Sequence, residues 1–142
     1  REDYDFIIID CPPAVGILTV NALVASDASI IPVQCEYFSL EGLKQVLSAI
    51  DLVRDNMNQN LAIEGILFTM YDVRTRLAQD VVAMIRENIF NVNIFETMIP
   101  RNIRLAEAPS NGLSILEYDS TSVGAERYRK LAGEILKNNL TA

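Results

Sequence analysis

Four short runs of consecutive apolar residues limit the folds that this chain can adopt. They cover residues 6–9, 29–33, 63–69 and 94–99, and several of their residues are β-branched. Runs of this length and composition predict strands, and apolar side chains at consecutive positions predict that both faces of each strand are covered. Strands of that kind belong to parallel sheets, because a crossover connection places helices over the sheet.

Segments with helical spacing separate these runs, since their apolar residues return every three or four positions. They cover residues 40–53, 77–89 and 125–136, with a shorter helix expected over Ile17–Ala25. Ser39 and Thr75 are candidate N-caps, and the last helix is expected to begin near Ser122. The order of strands and helices predicts right-handed crossovers and an α/β fold, a doubly wound, mostly parallel sheet flanked by helices.

Length and composition narrow the class of protein further. The chain has 142 residues, half of them apolar, and we expect residues 1–142 to form a single domain. The one long irregular region, residues 100–121, is expected to hold one short helical piece. It is also expected to be functional, because loops of that length are uncommon inside compact domains. A net charge of −7 argues against a generally basic nucleic-acid binder but leaves room for a local basic patch formed on assembly.

Other features bear on the compartment and on metal sites. No apolar stretch approaches the roughly 18 residues of a membrane span, and the acidic start lacks the basic region of a signal peptide, so we expect a cytosolic protein. Cys11 and Cys35 accompany no histidine, which excludes the usual zinc-site spacings. Both cysteines are expected to be small buried apolar residues.

The stretch YDFIIIDCPPAVG, residues 4–16, ends a predicted strand on an aspartate. Ligands of α/β sheets gather at the carboxyl ends of strands, so Asp10 has the position of a Walker B carboxylate that holds Mg²⁺ beside nucleotide phosphates. Alternatively, Asp10 caps the turn that follows. Pro12 and Pro13 stiffen the backbone, and Gly16 offers an amide that a phosphate can approach closely. That pattern suits a nucleotide-sensing switch loop or an ordinary turn.

Three stretches together resemble the ParA/Soj family of partition ATPases, deviant-Walker P-loop proteins that segregate chromosomes and plasmids. They are YDFIIIDCPPAVGILTVNAL (4–23), LFTMYDVRTRLAQDVV (67–82) and IPRNIRLAEAPSNGLSILEYDSTSVGAERYRKLA (99–132). Family members begin with a Gly-rich P-loop that carries a signature lysine, and no GKT or GKS occurs in this sequence. The resemblance therefore implies the C-terminal part of such an ATPase, inactive alone, with further sheet upstream of residues 6–9.

The resemblance also implies site residues. Asp10 would bind Mg²⁺ through water, Gly16 would act as the switch amide near the γ-phosphate of ATP, and Pro12 would lie beside the nucleotide. The adenine pocket would involve Met70, Tyr71, Asp72, Pro100 and Arg101. Tyr71 and Pro100 could equally serve as packing residues.

DNA binding is the second activity that the resemblance implies. Arg74 and Arg104 match positions where ParA-like proteins use arginine to hold DNA nonspecifically once ATP has made them homodimers, and a guanidinium fork suits phosphate oxygens. The alternative is that both arginines are solvated and paired with acids such as Asp72 or Glu107. The implied partners are a second copy of the chain, DNA and a ParB-like protein. The resemblance implies no membrane contact, and it implies a location in the cytoplasm, on the nucleoid.

The sequence is also compatible with three other classes of protein. A membrane-associated MinD-like ATPase would need a basic amphipathic C-terminal helix, and the tail EILKNNLTA carries a single lysine. A relative of the nitrogenase iron protein would hold an iron–sulfur cluster through Cys11 and Cys35. A catalytically inert interaction module would keep the dimer and partner surfaces without nucleotide chemistry.

Overall fold

The computed structural model describes residues 3–140, and side chains as far as residue 139. The elements in chain order are α1 (Ile17–Ala25), β1 (Ala28–Gln34), α2 (Ser39–Asn56), β2 (Ala62–Thr69), α3 (Arg76–Asn88), α4 (Ile103–Ser110), α5 (Ile115–Tyr118) and α6 (Val123–Leu140). They divide into two compact units. The first unit contains residues 3–29 with Lys44–Ala62, and the second contains Ile30–Leu43 with residues 63–140.

Strands β1 and β2 pair with each other in parallel. The Ala62 amide donates to the Asp27 carbonyl at 3.0 Å, and at the other end the Cys35 amide donates to the Thr69 carbonyl at 3.2 Å. Strand β2 is buried at consecutive positions, with Phe68 fully enclosed, whereas β1 alternates between buried and exposed residues. The prediction of two covered faces is therefore correct for β2 and wrong for β1, while the α/β class is confirmed.

The segment 94–99 is not a regular strand, so that prediction is wrong. It pairs with β2 and the residues after it at two isolated parallel bridges, Ile66 with Ile94 and Tyr71 with Pro100. The Ile94 end is fixed by the Phe95 amide, which donates to the Ile66 carbonyl at 3.0 Å. Ladder pairing is interrupted between the two bridges.

A carboxylate on α6 explains the interruption. The backbone amides of Glu96 and Thr97 donate to the two carboxylate oxygens of Glu134, at 2.7 and 3.1 Å. A carboxylate that accepts two amide hydrogen bonds satisfies donors that would otherwise face a neighbouring strand. Glu134 therefore joins α6 to the middle of the segment and replaces part of the β ladder.

The segment 6–9 is not a strand either, which corrects the first of the four predictions. Its side chains are between 47% and 92% exposed, and its residues belong to the first unit. A strand forms only where a neighbour accepts and donates its backbone hydrogen bonds, and no residue between 3 and 140 pairs with this segment.

The helices follow the predicted periods. The cap prediction for Ser39 is wrong, because Ser39 is the first residue of α2 and its hydroxyl contacts the carbonyls of Gln34 and Glu36. Thr75 is the N-cap residue of α3 as predicted, but its hydroxyl donates to the Asp72 carbonyl at 3.0 Å and does not accept from the helix. The last helix begins next to Ser122 as predicted, and the Ser122 hydroxyl accepts from the Ala125 amide at 3.2 Å.

The region 100–121 is more regular than expected, because it contains α4 and α5. Asn102 caps α4 by accepting from the Arg104 amide at 2.9 Å. Ser114 and Glu117 form a capping box at the start of α5. Side chains at the two helix starts satisfy free amides there, which is why a segment with scattered polar residues and glycine still forms helices.

The core of the second unit forms around β2. Leu67, Phe95, Ile99 and Leu131 make one buried cluster, so α6 packs on the β2 region. Gly65 has a steric role there, because an added Cβ would lie 2.8 Å from the fully buried Phe95 ring.

The first unit has a smaller core, with Leu23, Ile50, Val53 and Leu61 buried. The Asn58 amide group links its segments by donating to the carbonyls of Leu23 at 3.1 Å and Ser26 at 2.8 Å. With a third, longer contact to the Val24 carbonyl at 3.3 Å, this side-chain amide holds the end of α1 against the loop after α2.

The two cysteines have different environments. Cys35 is buried in the second unit, where desolvation raises the pKa of its thiol to about 11. Cys11 is exposed in the first unit, so the expectation that both are buried is wrong for this residue. Among residues 3–140, no group of three or more cysteine or acidic side chains could hold a metal ion.

We expect Glu134→Ala to lower the free energy of unfolding by about 1.5–3 kcal/mol, the range for hydrogen bonds to charged groups. The loss follows because two backbone amides lose their carboxylate acceptor. Urea unfolding followed by circular dichroism measures it. Glu126→Ala, on the same helix, is the matched control, since the Glu126 carboxylate pairs with the exposed Lys130 at 2.7 Å. Equal losses in the two variants would contradict the role given to Glu134.

Candidate functional site

An open cleft of about 720 Å³ lies at the carboxyl ends of β1 and β2, within the second unit. Its walls include Cys35, Tyr37, Phe38, Met70, Asp72 and Arg101. Pockets for small molecules in proteins commonly measure about 300–1,000 Å³, and the carboxyl ends of parallel strands are where α/β proteins bind them. The cleft thus has the size and the place of a ligand site.

Backbone pairing brings the two predicted halves of the adenine pocket together. The Tyr71 amide donates to the Ile99 carbonyl at 3.1 Å, and the Arg101 amide donates to the Tyr71 carbonyl at 3.0 Å. Met70 has φ of 53°, in the left-handed region that a residue with a side chain adopts uncommonly. Conformations of this kind often mark functional sites, and here the bend directs the chain from β2 into the cleft wall.

An aromatic pair on the cleft rim was not predicted from the sequence. The rings of Tyr37 and Phe38 lie edge to face with centroids 5.2 Å apart. The two side chains are 73% and 75% exposed, although large aromatic side chains usually bury most of their surface. They follow the carboxyl end of β1 after two intervening residues, Cys35 and Glu36, so their place near a strand end is the signal in the sequence that points to them.

Asp72 joins the cleft wall to Arg74. The Nε and Nη2 atoms of Arg74 lie 2.9 and 2.8 Å from Oδ1 and Oδ2 of Asp72, and the Arg74 backbone amide donates to Oδ1 at 3.0 Å. The side-chain hydrogen bond from Arg74 is the main cause that lowers the pKa of Asp72 to about 2. This two-point fork is the strongest geometry available to an arginine and a carboxylate.

Arg104 is also paired with acidic side chains. Its Nη1 lies 3.0 Å from Oε2 of Glu107, and its Nε lies 3.6 Å from Oδ2 of Asp119. The Tyr118 hydroxyl donates to the same Glu107 oxygen at 3.1 Å. The hydrogen bond to Glu107 is the main cause that raises the pKa of Arg104. Both ion pairs named in the alternative interpretation of the arginines, with Asp72 and with Glu107, are therefore present.

The remaining candidate residues, Asp10, Pro12 and Gly16, lie in the first unit and are exposed. The Gly16 amide donates to the Ala14 carbonyl at 2.9 Å, so it takes part in a turn before α1. Gly16 has an extended backbone, and an added Cβ would meet no atom within 4 Å. Space beside this amide is thus open. Asp10 offers one carboxylate, which fits Mg²⁺, an ion commonly held by one or two carboxylates together with phosphates and water.

Comparison with known proteins identifies the class first. A protein-family profile described as an AAA domain matches residues 1–63. Cobyrinic acid a,c-diamide synthase from Mycobacterium smegmatis, solved with ADP and magnesium, is 33% identical with a TM-score of 0.76, over 95% of this chain and 48% of that one. The cell division ATPase MinD from Pyrococcus furiosus is 25% identical with a TM-score of 0.73, over 96% and 53%. The fold is that of the P-loop NTPases.

The curated relatives then identify the family. The sporulation initiation inhibitor protein Soj of Bacillus subtilis is 51% identical over 97% of this chain. The chromosome-partitioning ATPase Soj of Treponema pallidum is 52% identical over 96%. The chromosome partitioning protein ParA of Myxococcus xanthus is 50% identical over 96%. The chain belongs to the ParA/Soj family, and it spans about half the length of these relatives, 54%, 53% and 48% respectively.

None of the helices described between residues 3 and 140 is long and apolar enough to cross a membrane.

We expect Arg74→Ala to return the pKa of Asp72 from about 2 towards its ordinary value of 3.8. Because the pKa in the folded protein is lowered, the stability that the pair contributes is fully present above about 3.8 and is lost as the pH falls through about 2. A carboxyl NMR titration measures the pKa. Arg76→Ala is the control, because Arg76 faces Asp80 at 3.9 Å. Titration of wild-type Asp72 near 3.8 would show that the fork is absent in solution.

Proposed function

We propose that this chain supplies the base-binding cleft, the Mg²⁺ carboxylate and the DNA-contacting arginines of a ParA/Soj-type ATPase that partitions chromosomes or plasmids. The observation that carries the proposal is the pairing of residues 70–72 with residues 99–101 beside the cleft, through the Tyr71 and Arg101 amides. Family membership at about 50% identity supports it.

The cleft fits the base of a nucleotide in size and chemistry. Tyr37, Phe38 and Met70 offer apolar surface for a flat ring, while Asp72 and Arg101 offer an acceptor and a donor at the same opening. Few polar groups on an apolar wall are typical of sites that orient a small molecule. We propose that ATP places its adenine here.

Asp10 and Gly16 are the residues that we propose for Mg²⁺ and phosphate. Bound Mg²⁺ neutralises phosphate charge, and Asp10 would give it a hard oxygen ligand, through water. The Gly16 amide now donates to Ala14, so it must leave this turn before it can donate to a phosphate. The open space around Gly16 permits that approach, and the exchange of one acceptor for the other would report nucleotide binding to the start of α1.

Partners and place of action follow from the same proposal. We propose that the complete protein forms an ATP-dependent homodimer, binds DNA nonspecifically, responds to a ParB-like protein and works in the cytoplasm on the nucleoid. The sequence contains no Gly-rich phosphate loop, so the chain alone should not hydrolyse ATP. Measurable turnover by residues 1–142 would contradict this account of the phosphate end.

We expect Phe38→Ala in the complete protein to weaken ATP binding roughly tenfold, since stacking of a base on an aromatic ring contributes about 1–3 kcal/mol. Isothermal titration calorimetry measures the dissociation constant. Phe90→Ala is the matched control, because Phe90 is 73% exposed and does not line the cleft, while Phe38 is 75% exposed on its rim. Equal affinities of the two variants would place the base elsewhere.

We expect Arg104→Ala to reduce the salt dependence of DNA binding by the complete dimer. Each neutralised phosphate contributes about 0.9 to the slope of log affinity against log salt, so two arginines per subunit predict a slope near about −3.6, and loss of Arg104 reduces it by about 1.8. Fluorescence anisotropy with duplex DNA at several salt concentrations measures the slope. Arg86→Ala, an equal loss of charge on α3, should leave it unchanged. An unaltered slope in the Arg104 variant would exclude its contact with DNA.

A further inference from the structure

Asp72 belongs to two features of the structure, the cleft wall and the ion pair with Arg74. It lines the cleft, and its carboxylate holds both donor atoms of the Arg74 fork at 2.8–2.9 Å. The Arg74 side chain is 85% exposed, whereas the Asp72 side chain is 22% exposed. An exposed arginine is usually free to reorient. Here the Asp72 carboxylate holds the Arg74 side chain against the turn between β2 and α3.

The turn keeps the carboxylate in place. Asp72 accepts from the Arg74 backbone amide through its side chain, and its carbonyl accepts the Thr75 amide and the Thr75 hydroxyl, both at 3.0 Å. These bonds close the short turn between β2 and α3, so Oδ1 and Oδ2 stay directed at the guanidinium. Asp72 is therefore a better-fixed partner than a flexible surface acid would be.

A DNA phosphate needs the same atoms of Arg74. The guanidinium fork binds a carboxylate and a phosphate with one geometry, so the two acceptors compete. Arg104 differs, because it makes one close contact with Glu107 and a longer one of 3.6 Å to Asp119, on two different acids. Of the two candidate DNA-binding arginines, Arg74 has the more complete internal substitute for a phosphate.

We propose that Asp72 is a positioning residue that restrains Arg74 from DNA until a phosphate displaces its carboxylate, an inference that rests on the proposed DNA binding. The restraint lowers nonspecific affinity without altering how many phosphates the bound protein neutralises. Because the same carboxylate lines the cleft, an occupant that donates hydrogen bonds to Asp72 weakens its hold on Arg74. Cleft occupancy and DNA binding are thereby connected through one side chain.

The test is Asp72→Asn in the complete protein, measured by fluorescence anisotropy on duplex DNA of random sequence. Because Asp72 also lines the cleft, ATP is kept at a concentration that calorimetry shows to saturate both the variant and the wild type. We expect DNA binding several-fold tighter than that of the wild type, with an unchanged salt slope, because Arg74 contacts phosphate in both proteins and only the competing charge is removed. In Asp72→Asn with Arg74→Ala, the gain should disappear and the affinity should equal that of Arg74→Ala alone.

Asp80→Asn is the matched control. It also removes one negative charge, on the neighbouring helix α3, but Asp80 lies 3.9 Å from Arg76 and forms no fork. We expect its DNA affinity to stay close to that of the wild type, and thermal unfolding confirms that each variant is folded.

The outcomes separate the inference from the function on which it rests. Asp72→Asn that binds DNA no more tightly than Asp80→Asn, or more weakly than the wild type, overturns the restraint while DNA binding itself stands. Arg74→Ala that binds as well as the wild type overturns the DNA contact of Arg74 and the restraint together.

Discussion

Strand β2, which is buried at the four consecutive residues 65–68, is the element on which the second unit depends. On one side it pairs with β1, where the Cys35 amide reaches the Thr69 carbonyl, and on the other it meets the segment 94–100 at two bridges. A strand with partners on both sides and side chains covered at consecutive positions cannot shift its register without exposing Ile66 or Phe68. Its carboxyl end is consequently fixed, and the cleft opens at that end, where β1 also ends while residues 99–101 continue beside Tyr71.

The segment 94–99 shows why an apolar pattern predicted contact with β2 correctly but a regular strand incorrectly. Its apolar residues suggested a strand, and the contact with β2 does exist at Ile94 and Pro100. What ended the ladder was Glu134, far along the chain, whose oxygens accept the Glu96 and Thr97 amides. A pattern of apolar residues read over a short stretch of sequence cannot reveal a hydrogen-bond partner as distant in the chain as Glu134. The segment 6–9 also has the apolar pattern of a strand. A strand needs a neighbour for its backbone hydrogen bonds, and residues 3–140 provide none for this segment.

The family resemblance, rather than the residue pattern alone, predicted residues 70–72 and 100–101, and the structure places Met70, Asp72 and Arg101 around one cleft. Tyr37 and Phe38 also lie just beyond a strand end, the feature that points to Asp10. Two aromatic residues ahead of an amphipathic helix look like ordinary core residues, however, and only their exposure distinguishes them. The fork between Asp72 and Arg74 was named among the alternatives, yet its geometry depends on a turn whose hydrogen bonds a linear pattern does not reveal.

The ion pairs of Arg74 and Arg104 also bear on how an acidic chain could bind DNA, which is itself negatively charged. With 19 acidic and 12 basic residues, the long-range field repels DNA, and salt screens that field beyond about 8–10 Å. The proposed DNA binding must therefore come from short-range contacts at individual arginines. Arg74 and Arg104 are already paired with carboxylates, so each proposed contact with a phosphate would exchange one anion for another. Such an exchange has a small net free energy for each arginine. Under the proposed function, affinity would therefore be low in one subunit and would rise mainly when several arginines act together in a dimer.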